Sequence, residues 1–280
     1  MRPQLSRSVL DRAAHHRSDP TWLEAAWQRA HVIVVDPASG NTPVDGDPPH
    51  LAYLDAAHAP DGDRLYLGGE DEPYFAVAAP VSGGGGLREL GPRLSDFDAG
   101  VFTEAVALIH WHADHQYDPR NGHRTQIAEA GWERRDGDRP SWPRTDPAIM
   151  VIITDGADQV LLARGVNWGQ NRYSCIAGFV EPGESAEAAC HREVGEEVGV
   201  PIAELSYIAS QPWPYPRSLM LGYEAVADPD HPLTLQADEI AAARWFTRDH
   251  LKSALAGEEG PLVLPPSISI ARYLMERWTG

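Results

Sequence analysis

Apolar positions fall into short runs along most of the chain. Residues 21–30 follow a helical period, and 31–35 (His-Val-Ile-Val-Val) form a continuous apolar run that reads as a buried strand. Shorter strand candidates at 51–54, 65–67 and 74–79 lie between Gly-, Pro- and Asp-rich turns. Four consecutive glycines at 83–86 mark a flexible linker or a hairpin tip. A long helix is predicted over 102–115, with Val106, Ile109 and Ala113 on one side. The second half opens on a strand at 148–153, followed by strands at 159–163 and 173–177. A helix at 186–198 comes next, then strands at 206–210, 219–226 and 243–246, and a closing helix at 267–278. Mixed strands around a central helix predict an α+β fold.

The 186–198 segment has the clearest pattern. Ser185 is a good N-cap after a Pro-Gly turn, and Gly199 fits a C-terminal stop. Ala186, Cys190, Val194 and Val198 make one row that faces a core. Glu193, Glu196 and Glu197 fall on neighbouring rows of another face, three and four residues apart. Like charges at that spacing repel, and a divalent cation with hard oxygen ligands relieves the repulsion. Three glutamates alone read more readily as a solvated acidic face. Arg192 is placed to pair with Glu184 and so clamp the entering loop to the helix. Gly195 costs about 1 kcal/mol against alanine inside a helix, and nothing in the sequence accounts for it.

Composition narrows the function. The chain has 280 residues, enough for two modest domains, and a formal charge of −18. That balance argues against broad electrostatic binding of nucleic acid and leaves room for a local basic groove. Two cysteines, Cys175 and Cys190, make neither a disulfide framework nor a four-cysteine zinc site. No apolar run approaches membrane length, the first residues lack a signal core, and a cytoplasmic protein with no membrane partner is the expectation.

The fixed points Gly178, Glu184, Arg192-Glu193-Val194, Glu196-Glu197 and Gly199-Val200 fill every position of a known pattern: this stretch resembles the Nudix box. Ten residues later, 210–220 reads Ser-Gln-Pro-Trp-Pro-Tyr-Pro-Arg-Ser-Leu-Met. It is similar to the signature of the NADH pyrophosphatase branch of the Nudix hydrolases, with Tyr215 where phenylalanine is usual. Three prolines around Trp213 and Tyr215 make a stiff loop, able to hold Gln211 and Ser218 against a planar base. A polyproline-type connector is the plainer reading. The resemblance is good over 110–280 and weak before that.

It implies a C-terminal Nudix α/β/α sandwich with a mixed sheet over 146–280. Before it come a smaller α+β N-terminal domain (1–109) and a connector (110–145) in the place of a four-cysteine zinc ribbon. The connector keeps Gly131-Trp132-Glu133-Arg134-Arg135 and has no cysteine. His112, His115 and His123 are candidate substitutes in its first half and its second half offers none, so zinc is not expected. The resemblance further implies Mg²⁺ or Mn²⁺ held by Glu193, Glu196, Glu197 and Glu239, with Glu197 as the catalytic glutamate and Arg192 and Glu184 supporting it. It implies substrate contacts at Phe179, Trp142, Gln211, Ser218, Met220 and Ala271, and a homodimer in which Phe179 stacks on a base. The implied reaction is hydrolysis of a dinucleotide pyrophosphate, NADH to NMNH and AMP, with NAD⁺ also accepted. Removal of NAD caps from RNA 5′ ends, hydrolysis of ADP-ribose or diadenosine polyphosphates, and a catalytically silent nucleotide-sensing module are the alternatives.

Overall fold

The computed structural model describes residues 2–280. They form two compact units. One holds residues 7–145 together with 213–217, and the other holds 146–212 and 218–280 together with residues 2–6.

In the N-terminal unit, α1 (Pro20–Trp27) precedes β1 (His31–Val35), and Asp19 caps the helix by accepting from the Thr21 and Trp22 amides. Three two-residue strands follow: β2 (Asn41–Thr42), β3 (Val44–Asp45) and β4 (His50–Leu51). Next come β5 (Leu65–Gly68), β6 (Tyr74–Ala78), β7 (Gly85–Gly86) and the short α2 (Leu87–Leu90). Strands β1, β6 and β5 make one sheet, parallel between β1 and β6 and antiparallel between β6 and β5. The glycine run is therefore partly a strand, since β7 pairs with β2. The long helix α3 (Asp96–Asp114) starts six residues before its predicted position, capped by Ser95, which accepts from the Asp98 amide. Its Gly100 is no boundary: a Cβ there would come within 2.7 Å of the Ser8 Cα, so glycine permits a close approach.

Three strands, β8 (Gln126–Ala128), β9 (Glu133–Asp136) and β10 (Arg139–Ser141), form an antiparallel sheet where the ribbon was expected. A hydrogen-bond network holds it. Buried Arg134 donates to the Thr125 hydroxyl (2.7 Å), the Thr125 carbonyl (3.0 Å) and Nδ1 of buried His112 (3.0 Å). His112 Nε2 in turn donates to the Gly131 carbonyl at 2.8 Å. Trp132 donates to the Tyr66 carbonyl, and the Arg17 guanidinium lies 3.7 Å above its ring. His115 bonds the Trp111 carbonyl, and His123 sits 3.5 Å from Asp136. The three histidines are thus engaged separately.

In the C-terminal unit, the central strand β11 (Asp146–Thr154) and β12 (Gln159–Gly165) are antiparallel. Strand β13 (Ile176–Phe179) pairs with β11 and lies three residues beyond the predicted start. Then come α4 (Ala186–Val198), β14 (Ile202–Trp213), β15 (Ser218–Ala227), β16 (Ile240–Thr247), α5 (Arg248–Leu255) and α6 (Ile270–Thr279). The main sheet runs β14-β15-β11-β12-β16 and is mixed, with β11 and β15 parallel. Alternation along β11 sets the layers. Ile149, Val151 and Ile153 pack with Cys190, Val194 and Val198 of α4, while Ile152 packs with Ile270, Leu274 and Met275 of α6. The result is the α/β/α sandwich the sequence implied. The stiff loop is largely strand: β14 runs through Pro212, and only 214–217 turn. Proline is tolerated there because β14 is the sheet edge. Among the described residues, no helix is long and apolar enough to cross a membrane.

Burial holds the His112 pKa down to about 4, opposed by its bond to Gly131 and reinforced by Arg134. A depressed histidine stabilises the fold above its unfolded value of about 6.5, and that stability is lost as pH falls through 4. We expect about 3 kcal/mol to be lost between pH 6.5 and 4. Thermal melts of wild type and His112→Gln across that range check it. NMR titration of His112 above pH 5.5 would refute it.

Candidate active site

The site is built on α4 and the strand that leads into it. Ser185 caps α4 by accepting from the Ala188 amide at 3.1 Å, and Gly199 ends it in the left-handed region at φ 72°. A Cβ on Gly199 would also meet the Thr234 side chain at 2.8 Å. Between β13 and α4 the loop is closed by Glu184, whose carboxylate accepts from the Glu181 amide at 3.0 Å.

Arg192 ties these parts together. It donates to both Glu184 oxygens (2.9 Å each), to Glu193 (2.8 Å), to Glu196 (3.1 Å) and to the Phe179 carbonyl (2.9 Å). The clamp between Arg192 and Glu184 is therefore bidentate, and it reaches β13 as well. The Arg192 hydrogen bonds hold the Glu184 carboxyl below its ordinary pKa.

Glu193 and Glu197 are pushed the opposite way. Burial raises Glu193 despite its bond to Arg192. Glu197 is only 6% exposed, and burial, followed by the charges of Glu193, Glu239 and Glu196, pushes it up to about 8. Glu239 reaches the cluster from the loop before β16. That loop is tied to the end of α4, because the Gln236 amide donates to the Glu197 carbonyl and the Glu239 amide to the Gln236 carbonyl. Four carboxylates with one arginine among them suit a hard divalent cation such as Mg²⁺ or Mn²⁺, which neutralises the excess charge. Their ligand atoms do not all lie within 4.8 Å of one another, so holding one ion requires side-chain adjustment. Gly178 makes room for the cluster: a Cβ there would fall 1.9 Å from the Glu193 carboxylate. Gly195 faces open space, and nothing in the structure explains it.

Strand register separates the remaining candidates. Gly178 pairs with Ile149 and faces α4, whereas Phe179 pairs with Ala148, which pairs with Met220. Phe179, Met220 and Ser218 therefore share the face covered by α6, where Ala271 sits. Phe179 is 58% exposed at its end of β13. Met220 is half-buried, Ser218 is buried, and Ala271 is enclosed in the α6 core. Gln211 is fully buried with both ends of its amide engaged: its oxygen accepts from the Leu5 amide (3.2 Å), and its nitrogen donates to the Ile268 carbonyl (2.9 Å). The sequence offered Gln211 as a base-reading side chain, yet its polar atoms close the interior. Trp142 belongs to the N-terminal unit and is 63% exposed. No local pattern announces the tie between Gln236 and Glu197, which positions the loop carrying Glu239.

The chain is similar to several known proteins. The NUDIX domain family model matches residues 144–264. Over 99% of its length the chain is 37% identical to a protein of Mycobacterium tuberculosis named "NAD-capped RNA hydrolase NudC", covering 94% of that protein. It is also 37% identical, over 66% of its length, to the human "NAD-capped RNA hydrolase NUDT12", covering 43% of it. A solved structure, the MutT NUDIX hydrolase from Burkholderia pseudomallei, matches with a TM-score of 0.38 and 18% identity, covering 48% of this chain and 97% of that one.

Two expectations follow. Gln211→Ala strands the Leu5 amide and the Ile268 carbonyl, and should cost about 1–3 kcal/mol of stability. Below its melting temperature, kcat/KM should stay within a few-fold of wild type. A large kinetic loss at unchanged melting temperature would return Gln211 to the substrate. The second concerns pH. A carboxyl whose folded pKa is raised stabilises the fold below its unfolded value, about 4.3, and that advantage is lost as pH rises through the folded value, here about 8. In EDTA, melting temperature should fall from pH 6.5 to 9 in wild type and less in Glu197→Gln. Parallel curves would remove Glu197 from the buried cluster.

Proposed function

Because the chain belongs to the Nudix family, in its NudC-like group, we propose that it hydrolyses the pyrophosphate bond of NAD-type dinucleotides, with NADH giving NMNH and AMP and NAD⁺ also accepted. The observation that carries this reading is the complete carboxylate cluster on α4, gathered around Arg192, beside an exposed aromatic at Phe179. For the chemistry we assign 146–280 to the hydrolase domain, 110–145 to a metal-free connector and 1–109 to the N-terminal domain.

Glu193, Glu196, Glu197 and Glu239 are the residues that would hold Mg²⁺ or Mn²⁺, which when bound lowers the pKa of a coordinated water and screens the phosphate oxygens. Glu197 orients the attacking water and accepts its proton. The water oxygen adds to one phosphorus, and the bridging oxygen leaves with the other. Arg192 keeps Glu193 and Glu184 in register with β13, so the attacking group and the substrate phosphates share one rigid frame. Phe179 offers an open ring face on which a base can stack. Ser218 and Met220, on the same face of the sheet, fit a role in shaping the site for that base; Trp142 and Ala271 are kept as contacts on the resemblance alone. The exposure of Phe179 also suits a homodimer in which a second copy covers it. Two free, buried cysteines suit a reducing cytoplasm.

A second reading has the same chemistry act on NAD at the 5′ end of RNA. It is favoured by the names of relatives aligned over nearly the whole chain. The charge of −18 weighs toward free dinucleotides.

Turnover of NADH, NAD⁺, ADP-ribose, diadenosine polyphosphates and NAD-capped RNA at matched concentrations, with Mg²⁺ and with Mn²⁺, tests the assignment. We expect NADH to lead. Glu197→Gln should cut turnover by about a hundredfold or more with the fold intact, and excess EDTA should abolish it. Binding of NADH without turnover in any metal would mark a sensing module and overturn the reading.

A further inference from the structure

We propose that the N-terminal unit carries a second, separate metal site formed by His15, His16 and Glu70, selective for a zinc-class ion. One ligand atom from each of these residues lies within 4.8 Å of the others, and this is the only such group of three found among the described residues. Two ligands of a tetrahedral zinc, each about 2.0–2.1 Å from the ion, stand about 3.4 Å apart. His16 Nε2 and Glu70 Oε1 are already 3.4 Å apart, and His15 Nε2 is 4.0 Å from the other Glu70 oxygen. His15 and Glu70 are exposed, so small rotations close that gap.

Two further observations point to a ligand. His16 Nε2 is shut off from solvent and makes no hydrogen bond, with the Glu70 carboxylate 3.4 Å away as its polar neighbour. Its ring is stacked on Trp22 at 3.7 Å with an interplanar angle of 2°, which fixes the direction of that nitrogen. A fixed, enclosed ring nitrogen that faces a carboxylate without a hydrogen bond is satisfied by an ion bound between the two. The backbone also brings the two segments together. Gly69, next to Glu70, donates its amide to the Asp11 carbonyl at 2.8 Å. Ala13 then turns the chain in the left-handed region (φ 39°) into the short 3₁₀ turn that bears both histidines.

The donor set decides the metal. Two imidazoles and one carboxylate suit Zn²⁺, Ni²⁺ or Cu²⁺, whereas Mg²⁺ prefers oxygen alone. Nearby arginines are otherwise engaged: Arg12 with Glu104, Arg17 over Trp132 and Arg29 with the Glu70 carbonyl. A water would complete four-fold coordination. The bound ion would staple the residues before α1 to the turn between β5 and β6. This site lies outside the connector in which zinc was not expected.

The test is a Zn²⁺ titration of the full chain against a chromophoric chelator, with millimolar Mg²⁺ present to occupy the α4 cluster. Wild type should bind one equivalent of zinc. His15→Ala, His16→Ala and Glu70→Gln should each weaken it by tenfold or more, while His58→Ala, an exposed histidine paired with Asp55, should not. NADH turnover in Mg²⁺ should be unchanged in all four. Circular dichroism checks each fold. If His16→Ala loses its packing on Trp22, exposed His15 and Glu70 still decide the matter. No zinc bound under Mg²⁺, or wild-type affinity in His15→Ala and Glu70→Gln, overturns the proposal.

Discussion

Like-charge repulsion among carboxylates on one helix is the constraint around which the C-terminal unit is arranged. A helix with Glu193, Glu196 and Glu197 on adjoining rows is unfavourable by itself. Arg192 answers part of that repulsion and gives the loop and β13 a common anchor. What Arg192 does not reach, above all the buried Glu197, is a carboxyl whose negative charge is disfavoured. A structural helix would have shed that charge. A helix that keeps it, and whose neighbour at 178 must be glycine to leave it room, carries a repulsion that a bound cation would relieve.

The same reasoning explains which parts were legible in the sequence. The helix 186–198 was readable to the residue, because Ser185 and Gly199 bracket it with local chemistry and its apolar row has the right period. The link between Arg192 and Glu184 was readable for the same reason. Gln211 was not. Its partners, Leu5 and Ile268, lie far away in sequence, and a polar side chain beside a proline-rich turn gives no sign that it will be enclosed. The prolines misled in a related way, since Pro212 sits in an edge strand and not in a loop. Burial and long-range pairing set these outcomes, and neither leaves a periodic trace.

The connector shows how a small sheet persists without the soft ligands its resemblance would supply. Arg134 reaches one hydroxyl, one carbonyl and one neutral imidazole. His112 stays neutral because it is enclosed, which leaves Nδ1 free to accept from Arg134 while Nε2 donates to Gly131. The tautomer is therefore fixed by the network, and the network by burial. Polar groups enclosed in this way are stable only as a complete set, so the sheet depends on each member much as a metal site depends on each ligand.

The two units do not divide the chain at one point. Residues 2–6 belong with the C-terminal unit, where the Leu5 amide meets Gln211 across 206 positions. Residues 213–217 belong with the N-terminal unit. As the chain leaves the ribosome, its opening segment has no place to settle until residue 211 has emerged, by which time most of the N-terminal unit has been synthesised. Contacts of such separation are slow to form and close last. A fragment cut at 145 would leave each half short of a segment the other encodes, so neither half is a self-sufficient module for excision or transplantation.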